Sequence, residues 1–394
     1  MSKILLCSLG SRGDMEPFLA KGEELIKEGH EVAFCFPVQF KSLAHEVSPL
    51  FYPQDKCFIE LINSPEVRKI IGQVGSGWSR IQTMLKLMKH TKPIQQQMIR
   101  DQHHAVSSFN PDKIISHIKC IYPIISAIRD HRNVEILSPM PCLIHPVEDE
   151  PHIGFGSPGP KWWNLFTYRL AERALIHQSI LGFGKSFLKE NGIQLTSREL
   201  KIYFDETVKV EYAISPDLFA RPHYWPKQAM ITQFRERIKI KHQRPTESLE
   251  SFLNEHTNPV FITFGSMVNS QPTVVGRDIV DVLSQFNQAA IINTSWGGIE
   301  LPGNLPKFIH QVTEVPYDYL IPKVSAVIHH GGSGTTHSVF RCGKPQAIIP
   351  HIGDQFFWAR QIDKKQIGIA GFPIKKWSKQ GFTELFKHLT EYPK

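Results

Sequence analysis

No stretch of the sequence approaches 18 uninterrupted apolar residues; the best candidate, Ile114 to Ile128, is broken by His117, Lys119 and Pro123. A membrane-spanning helix is therefore not expected. Nor is there a block of five or six like charges. The excess of 45 basic over 37 acidic residues (net +8) is spread along the chain, so no basic nucleic-acid arm is expected. The six cysteines include no CxxC pair, which argues against structural zinc and a disulfide framework and for a reduced, cytoplasmic protein. The opening Ile4–Leu9 run is too short for a signal peptide and is followed at once by Arg12 and Asp14, so it reads as a first strand.

What is present is a repeated order of strand, loop and helix. Residues 3–10 form an apolar run ending in glycine, and 16–29 have helical period with Gly29 as the stop. Further buried strands read at 32–36, 113–116, 134–137 and 210–214. The pattern restarts at Val260–Phe264, again with a glycine loop, and continues at 289–293, 308–311, 326–329 and 347–349. Continuous apolar strands alternating with helices predict parallel sheets covered on both faces. At roughly 150 residues per domain, 394 residues suit two or three domains, and the pattern restarts once. We expect an α/β chain of two Rossmann-like doubly wound domains facing across a cleft: 1–225, a proline-studded linker at 226–250, and 251–394. Ligands of such sheets bind beyond the carboxyl ends of the strands, so the loops there are where function is sought.

The strongest local signal is His329-His330-Gly331-Gly332-Ser333-Gly334-Thr335-Thr336, directly after an apolar strand. Glycines let backbone approach a phosphate, and a helix start offers unpaired N–H groups and a positive dipole end. This loop lacks the Gly-Lys-[ST] of a Walker element and the glycine spacing of dinucleotide binders. Some twenty residues on, Asp354 and Gln355 stand side by side after a further strand, suited to paired hydrogen bonds with sugar hydroxyls. Taken alone, that dipeptide reads equally as a helix cap followed by a surface glutamine.

Together, the histidine–glycine loop, Gly343-Lys344-Pro345 and the Gly353-Asp354-Gln355-x-x-Trp358 series resemble the donor-binding signature of nucleotide-sugar glycosyltransferases of the GT-B fold. The similarity is to the sterol and glycopeptide-antibiotic glucosyltransferase branch. Gly10-Ser11-Arg12-Gly13-Asp14-Met15-Glu16-Pro17, Phe264-Gly265-Ser266-Met267 and Trp225-Pro226 match that branch in order. The resemblance implies that His329 contacts the donor diphosphate, with Gly331 and Gly332 in its loop and Ser333, Gly334 and Thr335 supplying phosphate donors. It implies that Asp354 and Gln355 hold the hexose and that Ser266 approaches the diphosphate. Val315 and Trp296 would lie near the base. Tyr317 and Gln233 depart from the branch, which usually has histidine and glycine there, and Tyr317 leaves uridine and thymidine donors both open.

The resemblance further implies that Asp14 is the catalytic base, a role that a water-poor setting would favour by raising its pKa. The plain alternative is that Asp14 caps the helix that follows, and both can hold. Arg12 would brace the loop. Glu148-Asp149-Glu150 has no preceding strand and reads as a solvated loop, not a metal site. The aromatic stretch around Trp162, Trp163 and Phe166 reads as the wall of an apolar acceptor pocket, a lip touching membrane, or a buried helix.

The expected reaction is metal-independent, inverting transfer of a hexose from a UDP-sugar, UDP-glucose first, to an apolar alcohol such as a sterol or polyketide. No cofactor, no metal and no nucleic acid are expected, and the protein is expected to be a cytoplasmic monomer or weak dimer, with peripheral membrane contact left open. A UDP-sugar epimerase of the same fold and a non-catalytic nucleotide-sugar-binding subunit are the alternatives.

Overall fold

The computed structural model describes residues 1–56, 77–238, 245–294 and 297–392. It contains two compact units. The first comprises Met1–His152, Pro158–Ala213 and Arg221–Arg237; the second comprises Ile153–Ser157, Ile214–Ala220 and Ile238–Lys394.

In the first unit seven strands form one sheet: β1 (Lys3–Cys7), β2 (Glu31–Pro37), β3 (Phe51–Gln54), β4 (Lys113–Ser116), β5 (Val134–Ser138), β6 (Lys209–Ala213) and β7 (Ala229–Thr232). Their order is β3-β2-β1-β4-β5-β6-β7, and every pairing is parallel. The central strands are apolar on both faces because helices cover both, and Leu5, Leu6, Phe34, Ile114 and Ile115 are fully buried. The connecting helices include α1 (Arg12–Lys27), α2 (Gly77–Phe109), α3 (Ile121–Arg129) and α4 (Lys161–Ala174). Helix α1 buries Met15, Phe18, Leu19 and Leu25 against β1 and β2. It begins at Arg12, four residues before the predicted start, so Asp14 stands in its first turn and Pro17 lies inside it.

The second unit repeats the plan with β8 (Val260–Thr263), β9 (Ala290–Asn293), β10 (Ile309–Val312), β11 (Ala326–His329), β12 (Gln346–Ile348) and β13 (Gly368–Ala370). The order is β10-β9-β8-β11-β12-β13, again all parallel. Its helices include α5 (Glu247–Glu255), α6 (Pro272–Gln285), α7 (Ser333–Arg341), α8 (Gln355–Lys364) and α9 (Lys379–Thr390). In both sheets the strand order reverses at one place, between β1 and β4 and between β8 and β11. The loops leaving those strand pairs part there and open a crevice.

The expected linker at 226–250 is corrected. Ala229–Thr232 pairs with Val210–Ala213 as the edge of the first sheet, and Glu247 to Glu250 open α5. The prolines before β7 are folded into the first unit: the Arg221 guanidinium donates to the carbonyls of Trp225, Pro226 and Ala229 at 2.6–2.8 Å. Beyond β7, Arg235 is paired with Glu24 and Glu211, and the buried Arg237 lies among Glu16, Glu23 and Glu46.

Candidate functional site

In the first unit the chain leaves β1 through Ser8-Leu9-Gly10 and enters α1 with Ser11 at the cap position. The Asp14 carboxylate folds back over this turn. Its Oδ2 accepts hydrogen bonds from the Ser11 N–H at 2.7 Å and the Ser11 hydroxyl at 3.0 Å. Gly10 makes that possible. Its φ of +140° and missing side chain leave room where a Cβ would stand 2.2 Å from Oδ2. Asp14 is thus a helix-capping residue as well as a candidate base. Arg12 pairs with Glu16, one turn further along α1, at 2.9 Å.

The turn is also held from below. The buried Gln54 amide donates to the carbonyls of Ser8 and Cys35, and accepts from the Gln102 amide, which in turn accepts from the Tyr122 N–H. Buried polar chains of this kind fix one geometry, because breaking any link strands a polar group away from water. Nothing local in the sequence marks these glutamines.

On its other side Asp14 meets the loop after β4. Lys119 Nζ is 2.8 Å from Oδ1, and the buried His117 Nε2 is 3.8 Å from it. Burial pushes the Asp14 pKa up, but the Lys119 charge, the neighbouring His117 ring and the hydrogen bonds from Lys119 and Ser11 outweigh it, and the carboxyl ends below its usual 3.8. Burial alone would raise the pKa, and here it does not prevail. The cause is Lys119, which lies 105 residues from Asp14 in sequence.

In the second unit the loop after β8, Phe264-Gly265-Ser266, and the loop after β11, His330 to Gly332, leave adjacent strands at the reversal point. Helix α7 starts there with Gly332 at its cap. Its first-turn amides, from Ser333 through Thr335, have no acceptor within the helix, by helix geometry alone. Ser333 and Thr335 are largely buried and Gly334 is exposed. Ser266 is half-buried in the facing loop, and Val315 packs against the core beneath.

The histidines divide their roles in an unexpected way. His329 is fully enclosed; its Nδ1 accepts the Gly331 N–H at 3.1 Å, and Nε2 lies 2.9 Å from the Gln346 carbonyl oxygen. Burial lowers its pKa to about 4, so it is a neutral ring that shapes the loop. His330 instead has a ring nitrogen, Nδ1, without a hydrogen-bond partner. Its ring sits between Gly265 and Gly332, where a Cβ on either would come within 2.7 Å of it. His351, in the loop after β12, likewise has Nε2 unpartnered. Burial first, then the neighbouring His329 and His351, holds His330 neutral. A neutral imidazole with Nδ1 to spare, His330 beside the start of α7 can donate a hydrogen bond to an anion without adding charge, whereas His351 gives its Nδ1–H to the Ile349 carbonyl at 3.0 Å and keeps only an acceptor at Nε2. Sequence reasoning assigned neither residue a role.

Gln355 is drawn inward as well. Its carbonyl accepts from the N–H groups of His351 and Ile352 at 2.7 and 3.0 Å, and its amide donates to Met267 Sδ at 3.2 Å. In this structure it shapes the loop, and Asp354 beside it stands half-buried at the head of α8. Tyr317, the departure noted in sequence, has its hydroxyl 3.2 Å from Thr263 Oγ1. Trp296 lies outside the described residues.

Helix α4 carries the three aromatic candidates. Trp162 is 69% and Phe166 42% exposed, and Trp163 is half-buried between them, 6.1 Å from each ring. This excludes an ordinary buried helix. The acidic run nearby is only partly solvated: Asp149 is exposed, Glu148 pairs at the surface with Lys161 at 2.7 Å, and Glu150 is 9% exposed.

Two parallel, Rossmann-like sheets with sites at both reversal points define the GT-B class of fold, and solved structures agree. The glycosyltransferase of kitacinnamycin matches with a TM-score of 0.69 over 100% of this chain and 91% of its own, at 14% identity. The calicheamicin glycosyltransferase CalG4 matches with a TM-score of 0.65 over 98% and 89%, at 15% identity. More narrowly, residues 4–114 match the glycosyltransferase family 28 N-terminal domain, and residues 277–382 match the erythromycin biosynthesis protein CIII-like C-terminal domain. The sterol 3-beta-glucosyltransferase UGT80B1 of Arabidopsis thaliana is 27% identical over 99% of this chain and 63% of its own length. The sterol 3-beta-glucosyltransferase of Saccharomyces cerevisiae is 26% identical over 98% and 32%. The chain thus spans less than two thirds of these relatives.

Proposed function

We propose that the protein is an inverting, metal-independent glycosyltransferase. It moves a hexose, glucose first, from a UDP-sugar to a hydroxyl of an apolar acceptor such as a sterol, polyketide or other lipophilic aglycone. The observation that carries this reading is the glycine loop that opens α7 at the reversal point of the second sheet. Its amides and dipole suit a diphosphate leaving group, and no cation is needed for that. The likeness to sterol glucosyltransferases along nearly the whole chain supports the acceptor class and does not favour an epimerase or a non-catalytic subunit.

In this reading Asp14 accepts the acceptor's proton as the oxygen attacks the anomeric carbon. Ser333, Gly334 and Thr335 bind the diphosphate with His330, while His329, His351 and Gln355 hold the loops in shape. Asp354 holds the hexose, and Ser266, Val315 and Trp296 line the nucleotide side. Trp162, Trp163 and Phe166 receive the acceptor. Leu170, Arg169 and Arg173 are also exposed on α4, which suits peripheral contact with an anionic membrane. No helix among the described residues is long and apolar enough to cross one. We read the protein as a cytoplasmic monomer or weak dimer.

The test is incubation with UDP-[¹⁴C]glucose and a panel of sterols and polyketides, with product separation. Label in an organic-soluble glycoside is expected. Label that stays in UDP-sugar as a second epimer, or UDP binding without turnover on any acceptor, overturns the reading.

A further inference from the structure

One buried histidine of the first unit remains without a use. His117 directly follows β4, the parallel neighbour of β1 at the reversal point. Its backbone N–H donates to the Cys7 carbonyl at 2.8 Å, which fastens this loop to the end of β1. The side chain is 0% exposed. Its Nδ1 accepts the Lys119 N–H at 3.1 Å and so carries no proton. Burial first, and then the Lys119 charge, bring its pKa down to about 3, against an opposing pull from Asp14. The ring is therefore neutral with its proton on Nε2. That Nε2–H has no hydrogen-bond partner, and Asp14 Oδ1 lies 3.8 Å from it. A buried donor left unpaired within a short shift of a carboxylate is the arrangement of a bond completed in another state of the site.

We infer that His117 is a positioning residue for Asp14, its Nε2–H closing on Oδ1 when the acceptor is bound. The inference rests on the reading of Asp14 as base. In the structure Oδ1 is occupied by the Lys119 ammonium, whose side chain is 41% exposed and can turn to water. Oδ2 is fixed by Ser11. With His117 gripping Oδ1 from the enclosed side, the carboxylate keeps a lone pair for the acceptor hydroxyl. A neutral imidazole orients it without the full counter-charge that depresses its basicity. As the acceptor oxygen bonds to the anomeric carbon, its proton passes to Asp14. The bond from that carbon to the diphosphate breaks with its electron pair, and His117 keeps its own proton throughout. The titratable and charged groups facing Asp14 are Lys119 and His117 with the Cys120 thiol behind them; Arg12, on its own helix, is paired with Glu16.

The test uses the full chain with His117→Phe, His117→Gln and Asp14→Asn, measuring glucosyl transfer to a sterol against pH, UDP affinity and thermal stability. Phenylalanine keeps the ring and removes the donor. We expect kcat to fall roughly 10–100-fold, the scale of a base misplaced by about 1 Å, with the KM for UDP-glucose unchanged and the acid limb of kcat moved to higher pH. Glutamine carries an N–H at the place of Nε2 and should recover most of the rate. Wild-type kcat and pH profile in a folded His117→Phe, or a His117→Gln as slow as it, overturns the inference. Should phenylalanine fail to fold, ¹⁵N-histidine NMR decides. The His117 signal, assigned by its loss in His117→Gln, should show the Nε2–H tautomer and move on adding UDP with sterol. An Nδ1–H tautomer or an unmoved signal overturns it. A fully active Asp14→Asn overturns the base reading and this inference together, whereas an inactive Asp14→Asn beside an active His117→Phe removes the inference alone.

Discussion

Replacing Asp14 by asparagine separates its two roles, because asparagine keeps the carbonyl oxygen that accepts from Ser11 and loses the basicity. The stability change is small. The lost ion pair involves a Lys119 that is 41% exposed, so solvent screening limits it to about 0.2–1 kcal/mol. Losing a negative charge in the first turn of α1 costs about 0.3–1 kcal/mol more. The sum, about 1 kcal/mol, lowers the Tm of the first unit by roughly 2–4 °C, the scale for a domain of about 150–250 residues. The catalytic change is large: general-base catalysis contributes roughly 10²–10⁴-fold, and turnover should fall by that much.

The pH signature follows from the sign of the shift. Asp14 titrates below its ordinary 3.8 in the folded protein. Its ionised form therefore stabilises the fold fully above about pH 4, and that contribution disappears as pH falls through the folded pKa. The gap in Tm between wild type and Asp14→Asn should close in strong acid and stay constant from pH 5 to 8. Radiolabelled transfer, melting curves and calorimetry with UDP make up the assay. A variant that melts as expected, binds UDP and still turns over at the wild-type rate refutes the base assignment.

Three more expectations follow from the second unit. His329→Ala leaves the Gly331 N–H and Gln346 unpaired and loosens the α7 loop, so transfer should slow on the order of 10²-fold; unchanged UDP affinity and turnover would sink the loop's assignment. His329, His337 and His351 each titrate near 4 in the fold, against about 6.5 unfolded, so the unfolded chain binds more protons between those values. Stability should be full above pH 6.5 and fall by about 1.4 kcal/mol per pH unit for each histidine as pH drops towards 4; a calorimetric Tm that is flat from pH 7 to 5 would contradict this. EDTA should leave turnover within about twofold, given that helix and loop amides receive the diphosphate, and activity lost on chelation and restored by Mg²⁺ would show the leaving-group chemistry to be misread.

The central strands were legible because burial on both faces writes itself as an unbroken apolar run. Val260–Thr263 and Ala326–His329 lie within a residue of where the sequence places them. The three missed strands, β3, β7 and β13, are all at sheet edges. Edge strands face water on one side and tolerate Pro53 or a three-residue length, so that signature fades. At the site, Asp14 was legible through the glycine turn before it. His117 and Lys119 were not, since only the pairing of β1 with β4 brings them to it. Gln355 reads the same in sequence whether its amide faces a sugar or, as here, two backbone N–H groups.

The arginine pair after β7 bears on how this protein could be recombined with its relatives. Exchanging donor halves among two-domain proteins requires a crossover point, and the prolines around residue 225 invite one. A joint there would trade away β7 together with Arg235 and Arg237, leaving the buried carboxylates of Glu211 and Glu23 facing foreign sequence. Stranding a buried charge costs about 3–5 kcal/mol, enough to consume much of a domain's stability. A crossover placed after Arg237 keeps the host's own clamp on α1, the helix whose first turn holds Asp14. Hybrids joined there should inherit the first unit intact, and those joined a dozen residues earlier should fail to accumulate.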